Sequence, residues 1–396
     1  MIELSEEIYT LIEENKNCDV RELALRMNKR DIKNTSFILD QITGWQIAVI
    51  KIPSWASCSK IIYPTHLSME QCSSESTATY KAELISLLGK MDSFVDLTTG
   101  FGVDFSIIAR QFKYSTCVEK QKELCEIVSH NLSILNIRNA TAINGDGLVY
   151  LQKMKPVDWI FIDPARRDEH GGKHIAINNC EPDITQWIDL FKEKSKHTLI
   201  KLSPMMDISL AIKELKDISH IHIVSVNNEC KELLLVLDKK EKNPIIHTAN
   251  ITDKGIQYFE FTQNSEIESP CNFCDTLGKY LYEPNTSLLK AGAFRSLSFR
   301  FHMEKLHPNS HLYTSSFLNK DFPGRIFCIE DFCHFNKKNI RTVLHGIDKA
   351  NITIRNFPLS VHEIRKITKI SEGGEWFLFA TTLKQEEKVL IKCKKA

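Results

Sequence analysis

Four acidic residues stand at or just past the ends of short apolar runs: Asp96 after Phe94-Val95, Glu119 after Cys117-Val118, Asp146 in Asn144-Gly145-Asp146-Gly147, and Asp163 after Ile160-Phe161-Ile162. Ionised carboxylates accept hydrogen bonds from hydroxyls and amines and attract cations. Asp96 leads directly into Leu97-Thr98-Thr99-Gly100-Phe101-Gly102-Val103-Asp104. Without a Cβ, Gly100 and Gly102 let the backbone turn sharply and approach a ligand closely, and a helix starting there offers its unpaired N–H groups. An acidic strand end followed by such a loop builds a nucleotide pocket. A glycine loop can also serve only to turn the chain, and a strand-end Asp only to cap the next helix.

The elements that must position these residues follow from periodicity. Short apolar strands are expected at 94–97, 114–119, 140–143, 159–162, 198–202, 220–224 and 233–237; amphipathic helices alternate with the first five, 103–112 and 121–136 being the clearest, and the last two, separated only by 225–231, are close enough to form an antiparallel pair at one edge. Such alternation predicts an α/β fold with a parallel, doubly wound, Rossmann-like sheet, whose ligand site lies at the carboxyl ends of the strands. All four acids would gather at that rim. Glu119, 23 residues after Asp96, suits the ribose hydroxyls of a nucleoside. The dinucleotide fingerprint is absent, because Phe105 stands where a third glycine is required and Asp96 and Asp104 would repel a pyrophosphate. No Gly-Lys-Ser/Thr is present for a triphosphate. A ligand with a cationic centre and an amino group, such as S-adenosylmethionine, suits these carboxylates better.

The remaining segments divide as 1–58, an N-terminal helical region; 59–240, the sheet domain; 241–322, an α+β domain; and 323–396, a second α+β domain. A helix is expected over 74–88 with Ser73 or Ser74 as N-cap, and another over 285–303. The charged run 238–244 marks a boundary. Charge is uneven: residues 270–396 carry 20 Lys and Arg against 12 Asp and Glu, while the whole chain is at +1. A basic C-terminal third suits a polyanion, or is simply a solvated lysine-rich face. Twelve scattered cysteines read as free thiols. Cys271 and Cys274 have the spacing of a zinc half-site, but the nearest complement, Cys328 and Cys333, is distant and differently spaced, so no metal is expected. The acidic N-terminus and the lack of a long apolar run predict a cytoplasmic protein with no membrane partner.

With Asp96-x-x-x-Gly100-x-Gly102, Glu119, Asp146 and Asp163-Pro164-Ala165-Arg166 in order, residues 60–238 resemble class I S-adenosylmethionine-dependent methyltransferases. The whole chain resembles a bacterial family of such enzymes with a ferredoxin-like insert and a THUMP-like C-terminal domain. Segments 63–75, 282–294 and 356–360 are similar to that family's signatures. The resemblance implies S-adenosyl-L-methionine as cofactor, with Asp96, Gly100 and Gly102 around its amino-acid part, Thr98 and Asp104 near the methionine end, Glu119 on the ribose, and Asp146 with Gly147 at the adenine. It also implies RNA as substrate, tRNA or rRNA, with no DNA expected.

Asp163 is the candidate catalytic group, an acceptor for an amine about to be methylated, although the aromatic that completes Asn/Asp-Pro-Pro-aromatic motifs is missing. Methylation at pyrimidine C5 needs a cysteine nucleophile, and neither 163–165 nor 202–204 supplies one. Direct transfer to a nitrogen or oxygen remains. Arg166 and Arg167 could grip a substrate phosphate or pair with Asp168 and Glu169, and loop 170–174 lies where a lid would be expected. The alternatives are a non-catalytic RNA- or partner-binding protein on the same fold, and a methyltransferase for a protein or small molecule.

Overall fold

A computed structural model describes residues 5–29, 34–166, 180–215, 217–238 and 243–396. They fall into two compact units, Met1–Ser219 with Leu233–Lys242, and His220–Glu232 with Asn243–Ala396.

In the first unit, α1 (Glu6–Asn15), α2 (Val20–Lys29) and α3 (Thr35–Lys51) enclose a small core of Ile12, Leu23, Met27, Ile38 and Ile42. Pro53 ends this run and opens the short α4 (Pro53–Ala56), where its missing N–H costs nothing. Then come α5 (His66–Gln71) and α6 (Glu75–Leu88). Ser74, not Ser73, caps α6, its hydroxyl accepting from the Thr77 N–H at 3.2 Å.

The alternating region forms β1 (Ser93–Asp96), α7 (Val103–Ile108), β2 (Tyr114–Glu119), α8 (Lys122–Ile134), β3 (Ala140–Asn144), α9 (Gly147–Lys153) and β4 (Val157–Ile162). A two-residue ladder, β5 (Ala165–Arg166) with β6 (Cys180–Glu181), precedes α10 (Ile188–Lys194), β7 (Ser195–Leu202), α11 (Ile208–Glu214), β8 (Ile218–Val226) and β9 (Glu229–Asp238). Strand order in this unit is β9-β7-β4-β1-β2-β3, parallel except for β9 against β7. β4 and the Leu233–Leu237 part of β9 are almost continuously apolar and buried, as strands covered on both faces must be. β1 pairs with β2 on one side and β4 on the other. The strand order therefore reverses between β1 and β4, and it is at the carboxyl ends of strands at such a switch point that doubly wound sheets bind their ligands.

In the second unit, β8 pairs in parallel with β10 (Ile245–Thr252), which pairs antiparallel with β11 (Gly255–Thr262). Then follow α12 (Gln263–Glu268), β12 (Tyr280–Pro284), α13 (Thr286–Ala291), α14 (Arg295–Arg300), β13 (Glu304–Lys305), β14 (Tyr313–Ser315), β15 (Gly324–His334), α15 (Lys337–Val343), β16 (Asn351–Arg355), α16 (Val361–Thr368), β17 (Phe377–Thr382) and β18 (Lys388–Lys395). Seven of these strands form a sheet in the order β13-β14-β12-β15-β18-β17-β16. The expected helix over 285–303 is two helices. Gly292, at φ +76°, ends α13, and Glu266 accepts from the N–H groups of Phe294, Arg295 and Ser296 to start α14. Buried Glu283 on β12 pairs with Arg325 of β15 and, at 2.9 Å, with Arg355 of β16. All twelve cysteines are free.

Candidate functional site

Asp96 closes β1 and is 1% exposed. Its Oδ1 accepts from the Thr98 N–H at 2.9 Å, while Oδ2 is buried without a hydrogen-bond partner. Burial, with Asp104 and Asp163 nearby, pushes its carboxyl well above the ordinary value. The loop beyond it is left-handed at Gly100 (φ +57°) and Gly102 (φ +86°). A Cβ on Gly100 would meet open space, so conformation alone requires glycine there. Phe101 is buried against Trp55, with ring centroids 4.9 Å apart, and against Tyr63 at 6.3 Å. The segment preceding α6 thus braces the glycine loop from behind.

Glu119 closes β2 and binds that loop: Oε2 accepts from the Gly100 N–H at 2.9 Å, Oε1 from the Gln121 N–H at 2.7 Å. Each oxygen keeps a lone pair for another donor. The Asn144 side chain and the Gly145 N–H both donate to the Glu119 carbonyl, which draws the end of β3 to the end of β2. Asp146 is exposed and caps α9, its Oδ1 accepting from Leu148 and Val149. Its second oxygen makes neither bond. A Cβ on Gly147 would stand 2.0 Å from the Leu97 carbonyl oxygen, so this glycine lets α9 pack onto the end of β1.

Asp163 follows β4. Its N–H donates to the Thr98 hydroxyl at 2.7 Å, joining the loops of β1 and β4, and its Oδ2 accepts from Lys201 Nζ at 2.6 Å. Lys201 lies near the end of β7 and also donates to Ser73 Oγ at 3.1 Å. Asp104, in the first turn of α7, accepts from Ser73 Oγ at 2.7 Å and lies 3.1 Å from the fully buried Lys81 and 3.6 Å from Lys201. Burial opposes its charge, but the two ammonium groups and the Ser73 hydroxyl prevail and hold its carboxyl below the ordinary value. Asp96, Asp104 and Asp163 thus meet Lys81 and Lys201. With every group ionised, this cluster carries one uncompensated negative charge.

The structure brings Asp96, Thr98, Gly100, Gly102, Asp104, Glu119, Asp146, Gly147 and Asp163 to one rim. Arg166 belongs to β5 by its backbone, and Arg167 and the 170–174 loop lie outside the described residues. Sequence reasoning missed Lys81 and Lys201. Their signal was a charge on an apolar face: Lys81 shares the buried side of α6 with Ala78 and Ile85, and Lys201 interrupts Leu199-Ile200-Lys201-Leu202. Cys72, within electrostatic reach of Asp104 and Lys201, donates its S–H to the Met69 carbonyl, and burial raises its thiol further. It is poorly placed to supply a thiolate.

A doubly wound sheet with carboxylates ending adjacent strands beside a two-glycine loop is the architecture of a class I methyltransferase. Family models agree: residues 79–179 match conserved hypothetical protein 95, residues 280–323 a ferredoxin-like domain, and residues 324–395 a THUMP domain-like model. A solved "putative methyltransferase" from Porphyromonas gingivalis W83 is 33% identical, covers 98% of each chain and superposes with a TM-score of 0.89. The chain belongs to this family of methyltransferases with ferredoxin-like and THUMP-like domains. Two other solved structures align over less of it. An rRNA methylase from Streptococcus thermophilus is 16% identical over 42% of this chain and 95% of its own (TM-score 0.31). SMU.1697c from Streptococcus mutans, solved with S-adenosylhomocysteine, is 16% identical over 40% and 94% (TM-score 0.31). A search of curated proteins found no match.

Proposed function

We propose that this protein transfers a methyl group from S-adenosyl-L-methionine directly to a base nitrogen of RNA, in tRNA or rRNA. The observation that carries the cofactor is Asp96: a buried carboxyl with one unpartnered oxygen, at the switch point of the sheet, whose ionisation would leave its cluster with a net negative charge. Asp96 would hold the amino group, Gly100 and Gly102 would give the amino-acid part close access to backbone, Glu119 would accept from the ribose hydroxyls, and the second oxygen of Asp146 from the adenine amine. When bound, the cofactor supplies a methyl group on a cationic sulfur, and the carboxylates around it favour that charge.

Asp163 would accept a hydrogen bond from the target amine and orient the nitrogen lone pair toward the methyl carbon. Lys201, 2.6 Å away, fixes the rotamer of Asp163, and Thr98 fixes its backbone. As the new N–C bond forms, the nitrogen becomes more acidic and its proton can leave through the Asp163 carboxylate. RNA as substrate is supported by the THUMP-like match over 324–395 and by the basic excess in residues 270–396.

Mass spectrometry of nucleosides from digested RNA, taken from cells with and without the protein, tests the reading. One methylated base should disappear with the protein and return with the native chain but not with Asp163→Ala. An unchanged nucleoside profile would refute an RNA substrate.

A further inference from the structure

His220 and His222 stand two residues apart on β8 and therefore point to one face of the strand. The parallel register of β8 with β10 sets His247 opposite His222. Three imidazoles are thus collected on one face of two neighbouring strands. His220 Nδ1 lies 2.9 Å from His247 Nε2, the rings of His222 and His247 stack with centroids 4.2 Å apart, and one nitrogen from each of the three falls within 4.8 Å of the others. His222 and His247 are buried and His220 is half-buried. On the far side of His247, its Nδ1 lies 2.5 Å from the Tyr258 hydroxyl and 3.5 Å from Glu260 Oε2, and the two side chains of β11 are themselves joined at 3.1 Å.

The geometry points to a divalent transition-metal site, suited to Zn²⁺, with His220, His222 and His247 as ligands and a water in the fourth position. In a tetrahedral site with Zn–N near 2.0–2.1 Å, the nitrogens stand about 3.3 Å apart. That falls between the closest contact here, 2.9 Å, and the 4.8 Å limit of the group. To bind one ion, the His222 and His247 rings must turn out of their stacked arrangement so that their lone pairs converge. The donor set is all imidazole, which suits Zn²⁺ and its neighbours over Mg²⁺ or Ca²⁺.

The surroundings of His247 supply an independent argument. A histidine bound through Nε2 must carry its hydrogen on Nδ1, and ligating histidines donate that hydrogen to a carboxylate, carbonyl or other acceptor, which fixes ring and tautomer. Tyr258 and Glu260 are placed to receive it. Glu260 is the register partner of His247 across β10 and β11, so the pairing of strands itself delivers this support. The half-buried edge at His220 gives a metal ion and its water a way in. The site lies in the unit of His220–Glu232 and Asn243–Ala396 and needs no residue of the carboxylate cluster.

The test uses the full chain, stripped with a chelator and titrated with Zn²⁺ against a chromophoric competitor. Extended X-ray absorption at the zinc edge of the loaded native protein should give nitrogen and oxygen neighbours near 2.0 Å with imidazole scattering beyond. One equivalent should bind, His220→Asn should weaken it at least a hundredfold, and Glu260→Gln about tenfold. Circular dichroism should show both variants folded. Failure of the native chain to take up one equivalent would overturn the assignment. Sulfur neighbours near 2.3 Å, or loss of uptake in Cys271→Ser/Cys274→Ser, would overturn it in favour of the thiols. Because the absorption measurement is made on the native protein, it decides the ligand set even if a histidine variant does not fold.

Discussion

Asp96 and Asp104 are both buried acids, yet their neighbours give them opposite consequences. Asp104 is held ionised by Lys81 and Lys201, so its folded-state pKa lies below its unfolded value. Its stabilisation is complete above about pH 4 and is lost as pH falls through the lowered pKa. Lys81→Met should remove a buried partner and cost about 3–5 kcal/mol in urea unfolding at pH 7. Asp96 has its pKa raised by burial, so ionising it weakens the fold as pH rises above the unfolded value. Asp96→Asn should therefore raise the neutral-pH stability of the ligand-free protein by about 1 kcal/mol while abolishing detectable S-adenosylmethionine binding. A cationic ligand would favour the ionised form of Asp96, so calorimetry in buffers of different ionisation enthalpy should detect proton release on binding to the native chain. Equal affinity in native and Asp96→Asn proteins would remove Asp96 from the cofactor site.

At the scale of elements, two glycines of the rim separate by the reason each is needed. Gly100→Ala places a Cβ in open space but in a left-handed conformation, costing about 1–2 kcal/mol. Gly147→Ala drives a Cβ into the Leu97 carbonyl and must push α9 off the end of β1, costing about 1–3 kcal/mol and moving Asp146 with it. Thermal unfolding should show both losses, and calorimetry with S-adenosylmethionine should show a larger affinity loss for Gly147→Ala than its stability loss implies. The strands ending at Asp96, Glu119 and Asp163 were legible because buried parallel strands are apolar runs that end at polar rims, whereas β3, before Asp146, is a half-exposed edge strand. Their helices were legible from three- and four-residue spacing. Lys81 and Lys201 were not, because a buried lysine is recognised only by its partner and Asp104 lies 23 residues from one and 97 from the other. The imidazole cluster needed the register of β8 against β10, which no local pattern encodes. The break at Gly292 was visible as a glycine, but the acceptor that restarts the helix, Glu266, comes from a different element.

For the molecule as a whole, the division into two units separates the carboxylate site from the basic C-terminal region. The three signature segments do different structural work. In 63–75, Tyr63 packs on Phe101, Ser73 holds Asp104, and Glu75 accepts from the Ser54 N–H at 2.8 Å. In 282–294, Glu283 joins three strands and Asn285 caps α13. In 356–360, Ser360 forms a capping box with Glu363. These segments hold the fold, so RNA contact should be sought on charged side chains outside them. α15 offers Lys337, Lys338 and Arg341, all exposed within about one turn and a half. If single-stranded RNA lies across this helix, each cation displaces condensed counterions, about 0.7 per phosphate contact. Replacing all three by Gln should then reduce the slope of log affinity against log salt by about 2 and weaken binding at low salt, with S-adenosylmethionine affinity unchanged. Filter binding over a series of salt concentrations measures the slope. A slope equal to that of the native protein would place the RNA on another face, and a native slope near zero would count against a polyanionic substrate altogether.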